Sequence, residues 1–160
     1  MKIVKNLIIV ASIIVIVSCE KTTFYNPYAQ LDADIAKIDK YLEENNITAQ
    51  RSSSGLRYVI HDPGIGSIPV KGNILIVHYT GTLLDGTKFD SSYDNGEPLK
   101  YQHGYGQVIS GWEEGITYIA ERGRITLYIP SVLAYGSRAV GEFIEPNSNL
   151  IFDIELFSVQ

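Results

Sequence analysis

The chain has 160 residues, 45% of them hydrophobic and 19% charged, which suits one globular domain and excludes both a disordered chain and two full-sized domains. A formal net charge of −5 and a pI of about 5.1 argue against nucleic-acid binding, which needs a basic patch or stripe. One cysteine, Cys19, and three scattered histidines (His61, His78, His103) leave no intrachain disulfide and no cysteine-based zinc site.

The N-terminus reads as a targeting segment. Lys2 and Lys5 form a short basic region, and residues 7–17 are apolar apart from Ser12. That run is short for a bilayer span and fits the core of a signal peptide. It ends on Ile16, Val17, Ser18 and Cys19, a pattern that resembles a bacterial lipobox. Residues 1–18 are therefore expected to be a signal peptide, with the Cys19 thiol carrying lipid. Loss of Lys2 and Lys5 would take the charge from −5 to −7. The remainder would be a domain held on a membrane by its lipid.

Residues 19–30 are polar, with Pro27 and three aromatics, and read as a tether. Leu31, Ile35, Ile38 and Leu42 then recur at helical spacing, with Asp32, Asp34, Lys37 and Asp39 placed mainly elsewhere around the turn. This predicts an amphipathic helix over 31–45, stopped by Asn45 and Asn46. Its apolar stripe is expected to pack on the chain's own domain or to serve as a spacer. Residues 51–55 (RSSSG) read as a linker, so residues 31–50 form the helix and linker and residues 51–160 the main domain.

Strand signals follow. Leu56, Tyr58 and Ile60 alternate with polar or smaller positions, and a turn is expected at Pro63 to Gly66. Residues 74–84 lead into Asp85-Gly86, a hairpin signal, and a return strand carries Phe89. Residues 99–102 are a short strand; Ile125, Leu127 and Ile129 alternate in another, and Leu150, Phe152, Ile154 and Leu156 in the last. One helix fits between them: Ser110 and Glu113 form an S-x-x-E capping box, Trp112, Ile116 and Ile119 an apolar stripe, and Gly123 follows the end. The fold class is α+β: a single antiparallel sheet of five to six strands wrapped over one short α-helix, preceded by the amphipathic N-terminal helix.

No nucleophile elbow, H-E-x-x-H or second thiol is present. Asp90, Asp94 and Glu97 are too sparse for a calcium loop. Glu113 and Glu114 suit the first turn of a helix. The feature left is an aromatic set: Tyr79, Phe89, Trp112, Tyr135 and Phe152. In most small domains such a set is core.

Four blocks change that weighting. Residues 77–92 (VHYTGTLLDGTKFDSS), 108–115 (VISGWEEG), 134–136 (AYG) and 149–156 (NLIFDIEL) resemble, in order and spacing, the FKBP family of peptidyl-prolyl isomerases. The resemblance covers residues 54–160 and implies an FKBP-like fold and X-Pro isomerisation in an aromatic pocket. It carries over Tyr79, Phe89, Asp90, Val108, Ile109, Trp112, Tyr135, Ile144 and Phe152 as the proline pocket. Trp112 would floor it, the Ile109 N–H and the Tyr135 hydroxyl would bond substrate carbonyls, and Asp90 would orient polar groups at the rim. Leu99 stands where a phenylalanine is common and Val140 where a histidine is, both at the rim. Proline-containing unfolded or partly folded chains are the implied partners and a macrolide a possible inhibitor. No cofactor and no metal are expected. Together with the Cys19 anchor this predicts a bacterial cell-envelope isomerase. The alternative is a non-catalytic proline-binding or chaperone module.

Overall fold

The computed structural model describes residues 26–160; the expected signal peptide, Cys19 and the start of the expected tether lie outside the described residues. The first element, α1 (Pro27–Glu44), begins four residues before the expected Leu31. The Asn26 side chain accepts the Tyr28 and Ala29 N–H groups, and Pro27 follows at the first helical position. This Asn-Pro start signal lies inside the stretch read as tether. The helix stops as expected at Asn45, after which Asn46 has a φ of 56°.

Seven strands make one antiparallel sheet: β1 (Gln50–Arg51), β2 (Arg57–Asp62), β3 (Ile74–Leu83), β4 (Lys88–Ser91), β5 (Leu99–Gln102), β6 (Arg124–Ile129) and β7 (Leu150–Val159). The strand beyond the expected six is β1, whose two residues lie at the start of the segment read as linker and are too few to show a period. The order is β1-β2-β6-β7-β3-β4. The far edge of β3 is shared: β5 pairs its first half, Ile74 to Val77, and β4 its second, Thr80 to Thr82. Between β4 and β5 the chain leaves the sheet through a single-turn helix, α2 (Ser92–Asn95).

On one face of the sheet lies α3 (Ser110–Gly115). It is shorter than the stripe suggested: Ile116–Tyr118 is a 3-10 turn and Ile119 is extended. Gly111 and Gly115 let it approach β6, since a Cβ on either would sit 2.4–2.5 Å from side-chain carbons of Leu127 or Ile129. The expected capping box does not form. Ile109 is the N-cap, the Ser110 hydroxyl donates to the Leu133 carbonyl, and Glu113 accepts from the Gly104 and Gly106 N–H groups. Tertiary partners outcompete the local reciprocal bond. The main core lies under this helix and includes Leu75, Val77, Ile125, Leu127, Ile154 and Leu156.

The opposite face carries α1. Ile38 and Leu42 are buried against Tyr128 and Ile151, with Val59 and Leu84 at the margin. Each such aliphatic contributes about 1.5–3 kcal/mol when fully buried. Asp34, expected on the solvent side, is fully buried in this interface. Arg57 is also buried and forms a bidentate pair with Asp39 (2.8 and 3.1 Å). The fold is thus three layers, with β6 buried on both faces along 125–129. Among the described residues, no helix is long and apolar enough to cross a membrane.

Candidate functional site

Beside α3, the inner face of the sheet opens at the ends of β3, β4 and β7. Alternation along β3 sends Leu75, Val77, Tyr79 and Gly81 inward, and β4 and β7 deliver Phe89 and Phe152 beside them. Phe89 meets Phe152 edge-on at 5.5 Å between ring centroids. Trp112 meets Phe152 at 4.9 Å and Tyr79 at 5.1 Å, again edge-on. These edge-to-face contacts are the arrangement that ring quadrupoles favour.

Next to these rings is a cavity of about 320 Å³ lined by Phe89, Asp90, Tyr135, Val140, Gly141, Glu142, Phe143, Ile144 and Phe152. That is large enough for a proline side chain and its neighbours. Six residues singled out in the sequence, Phe89, Asp90, Tyr135, Val140, Ile144 and Phe152, lie in its wall. Tyr79 and Trp112 lie behind that wall, packed against Phe152 at tilted and edge-on angles, and Trp112 is almost wholly buried. Val108 and Ile109 are half-buried and pack on the same core. As the N-cap of α3, Ile109 has an N–H that the helix does not use. Leu99 departs from the expected rim: it lines an adjoining depression of about 450 Å³ with Tyr79, Pro98 and Lys100, because β5 pairs the other half of β3.

Polar groups at the mouth are held in place. The Tyr79 hydroxyl donates to Asp90 Oδ2 at 2.5 Å, and Asn95 Nδ2 reaches Asp90 Oδ1 at 3.4 Å. The buried Ser92 Oγ accepts the Tyr79 N–H at 2.8 Å, which fixes Tyr79 from its backbone. Burial, then the hydrogen bond to Asp90 and its charge, push the Tyr79 phenol well above its ordinary value. Burial and the Asp90 carboxylate push the Tyr135 phenol up too. Both therefore keep their protons through the physiological range and can only donate or accept, not ionise.

Some contributors carry no family signal that the aromatic pattern could reveal. Tyr101 on β5 accepts the Trp112 indole N–H at 3.1 Å and so sets the Trp112 ring; its inward register on a four-residue strand was the available signal. Gly81 touches the pocket by having no side chain: a Cβ there would lie 2.7–2.8 Å from the Phe89 and Phe152 rings. Gly141, Glu142 and Phe143 line the cavity from the 136–149 loop, which shows no period. A larger cleft of about 610 Å³ between α1 and β1 is lined by Asp39, Lys40, Glu43 and Arg51 with aliphatic residues such as Leu42 and Ile47, and its lining includes no aromatic ring.

Comparison with known proteins places the site in context. A family model described as FKBP-type peptidyl-prolyl cis-trans isomerase matches residues 66–157, more than half of the chain. The chain is 41% identical over 133 residues to the probable FKBP-type peptidyl-prolyl cis-trans isomerase FkpA of Neisseria meningitidis serogroup B, covering 82% of this chain and 48% of that protein. It is 50% identical over 96 residues to an FK506-binding protein of Neisseria meningitidis serogroup A, covering 60% of this chain and 88% of that one. Among solved structures, the crystal structure of FkpA from Escherichia coli matches with a TM-score of 0.71 and 40% identity, over 84% of this chain and 62% of that chain. The chain spans about half the length of the FkpA relatives it matches.

Proposed function

The chain belongs to the FKBP-type peptidyl-prolyl cis-trans isomerase family, and from that premise we propose that it accelerates rotation about X-Pro bonds in protein chains at the bacterial cell envelope. The observation that carries the reading is the cavity walled by Phe89, Phe152 and Ile144, with Asp90, Tyr135 and Glu142 among its lining.

The uncatalysed barrier is roughly 18–20 kcal/mol because C–N resonance must be broken. X-Pro bonds populate cis readily yet exchange in tens to hundreds of seconds. No covalent bond changes, so the reaction asks for no nucleophile. In the planar imide the carbonyl oxygen carries extra negative charge, and twisting reduces it. Water solvates the planar form better, so an aromatic pocket that removes water favours the twisted one. In this reading Phe89, Phe152, Ile144 and Val140 enclose the proline ring, and Tyr79 and Trp112 keep Phe152 in place. The Ile109 N–H and the Tyr135 hydroxyl hold the flanking carbonyls, so only one side of the bond turns. Asp90, oriented by Tyr79 and Asn95, sets the polarity of the mouth.

The substrates in this reading are proline-containing unfolded or partly folded exported chains, and a macrolide that mimics the imide would compete for the cavity. The sequence around Cys19 supports a lipid anchor that keeps the domain on a membrane surface. A protease-coupled assay on a Leu-Pro peptide tests the activity. Acceleration that the macrolide abolishes is expected. Peptide binding without acceleration would make the chain a proline-binding module instead, and neither binding nor acceleration would remove the pocket assignment altogether.

A further inference from the structure

Asp34 is the one carboxylate on α1 that is fully buried, and no cation among the described residues pairs with it. It lies at the interface that Ile38 and Leu42 make apolar. An uncompensated buried charge is costly, and an aliphatic side chain would serve packing better. Two of the three hydrogen bonds its carboxylate accepts come from Ser131. Oδ2 accepts the Ser131 N–H at 2.9 Å and the Ser131 hydroxyl at 2.5 Å, and Oδ1 accepts Gln30 Nε2 at 2.7 Å. Asn149 completes the set: its Nδ2 donates to the Asp34 carbonyl at 3.2 Å, and its Oδ1 shares the Ser131 N–H at 3.1 Å.

Ser131 opens the 3-10 turn Ser131–Leu133, which leads directly to Tyr135. Its carbonyl accepts the N–H groups of Ala134 and Gly136, at 2.9 and 2.8 Å, so the residues on either side of Tyr135 hang from Ser131. From the other layer, the Ser110 hydroxyl holds the Leu133 carbonyl at 3.0 Å. The turn is therefore clamped from both faces of the sheet, by α1 through Asp34 and by α3 through Ser110.

We propose that Asp34 is a positioning residue for catalysis: from the far side of the sheet it fixes Ser131 and thereby the placement of the Tyr135 hydroxyl. The N-terminal helix is then a working part of the isomerase, although none of its residues lines the cavity. The inference rests on the reading of Tyr135 as a group that bonds substrate.

The test is a double-mutant cycle in the full chain, purified in detergent, with kcat/KM measured on a Leu-Pro peptide. Tyr135→Phe should lower kcat/KM about two- to tenfold, the value of one hydrogen bond. Asp34→Asn, which keeps the shape but replaces the carboxylate by a weaker neutral acceptor for the two Ser131 donors and sets an amide NH2 against the Gln30 Nε2 donor, should lower it by a similar factor. In the Tyr135→Phe background, Asp34→Asn should cost nothing further, because the group it positions is gone. Leu42→Ala should reduce Tm yet leave kcat/KM of the folded protein unchanged. Ser131→Ala repeats the cycle with a milder lesion and decides the matter where Asp34→Asn does not fold. Independent, multiplicative losses, or an equal loss from Leu42→Ala, would overturn the positioning role while the isomerase reading stands. A wild-type chain without activity would overturn that reading and the inference with it.

Discussion

Phe89 and Gly81 face each other across the β3–β4 pair, and each limits what the other can be. Gly81 leaves the space into which the Phe89 and Phe152 rings close, and Phe89 is held edge-on against Phe152. Phe89 is only half-buried because its free side faces the cavity. Phe89→Ala should cost less than the about 3–5 kcal/mol of a fully buried aromatic. Its effect on catalysis should exceed that of Tyr135→Phe, since it readmits water to the imide rather than removing one hydrogen bond. The measurement is kcat/KM on a Leu-Pro peptide for both variants, with circular dichroism showing that each is folded. A folded Phe89→Ala that works at the wild-type rate would make Phe89 ordinary core.

Among the elements, β3 does the most to organise the site, and α1 covers the other face of the sheet. The ten residues of β3 pair with β7 along one edge and with β5 and β4 along the other, so one strand carries both Tyr79 and Gly81 to the pocket. The helix α1 is attached to the opposite face by packing, by the Asp34 contacts and by an ion pair to β2. The guanidinium of Arg57 hydrogen-bonds the Asp39 carboxyl and, against a smaller opposing effect of burial, holds it below the usual carboxylate range. A carboxyl whose folded pKa is depressed adds stability above its unfolded value, and this is lost as pH falls through the folded one. The Tm of the wild type should therefore fall on acidification below about pH 4. Asp39→Asn should be less stable at pH 7 and should lose less on acidification, so that the two Tm curves converge as pH falls through the depressed folded pKa of Asp39. Parallel curves would show that the pair contributes nothing to holding α1.

At the scale of the whole molecule, the FKBP-type domain and the N-terminal helix are one packed body over residues 26–160, and the sheet separates the pocket from the helix. Anchoring by lipid would tether this body from the α1 end, upstream of Asn26. Cys19→Ala should abolish incorporation of radiolabelled fatty acid in growing cells and release the chain from the membrane fraction. Label persisting on the variant would place the lipid elsewhere or remove it from the account. Peptide turnover should be unchanged by this substitution, because it acts on where the enzyme sits and not on the pocket.

Local pattern was enough for the elements that obey one period. The alternation of β3, β6 and β7 and the stop at Asn45 were legible, and the four short blocks, read as a resemblance, contain Phe89, Asp90, Tyr135 and Phe152, which line one cavity. Where residues answer to distant partners, the sequence had no voice. Ser110 and Glu113 fit a capping box, yet loop and turn backbones took both side chains. Leu99 lines a second depression because β5 and β4 divide one edge of β3. Asp34 reads as a solvated helix position until Ser131 and Asn149, 97 and 115 residues away, enclose it. Periodicity reports which face of an element is apolar. Only the packed structure decides which polar group on that face is worth burying, because its partners are brought close by the sheet and not by the chain.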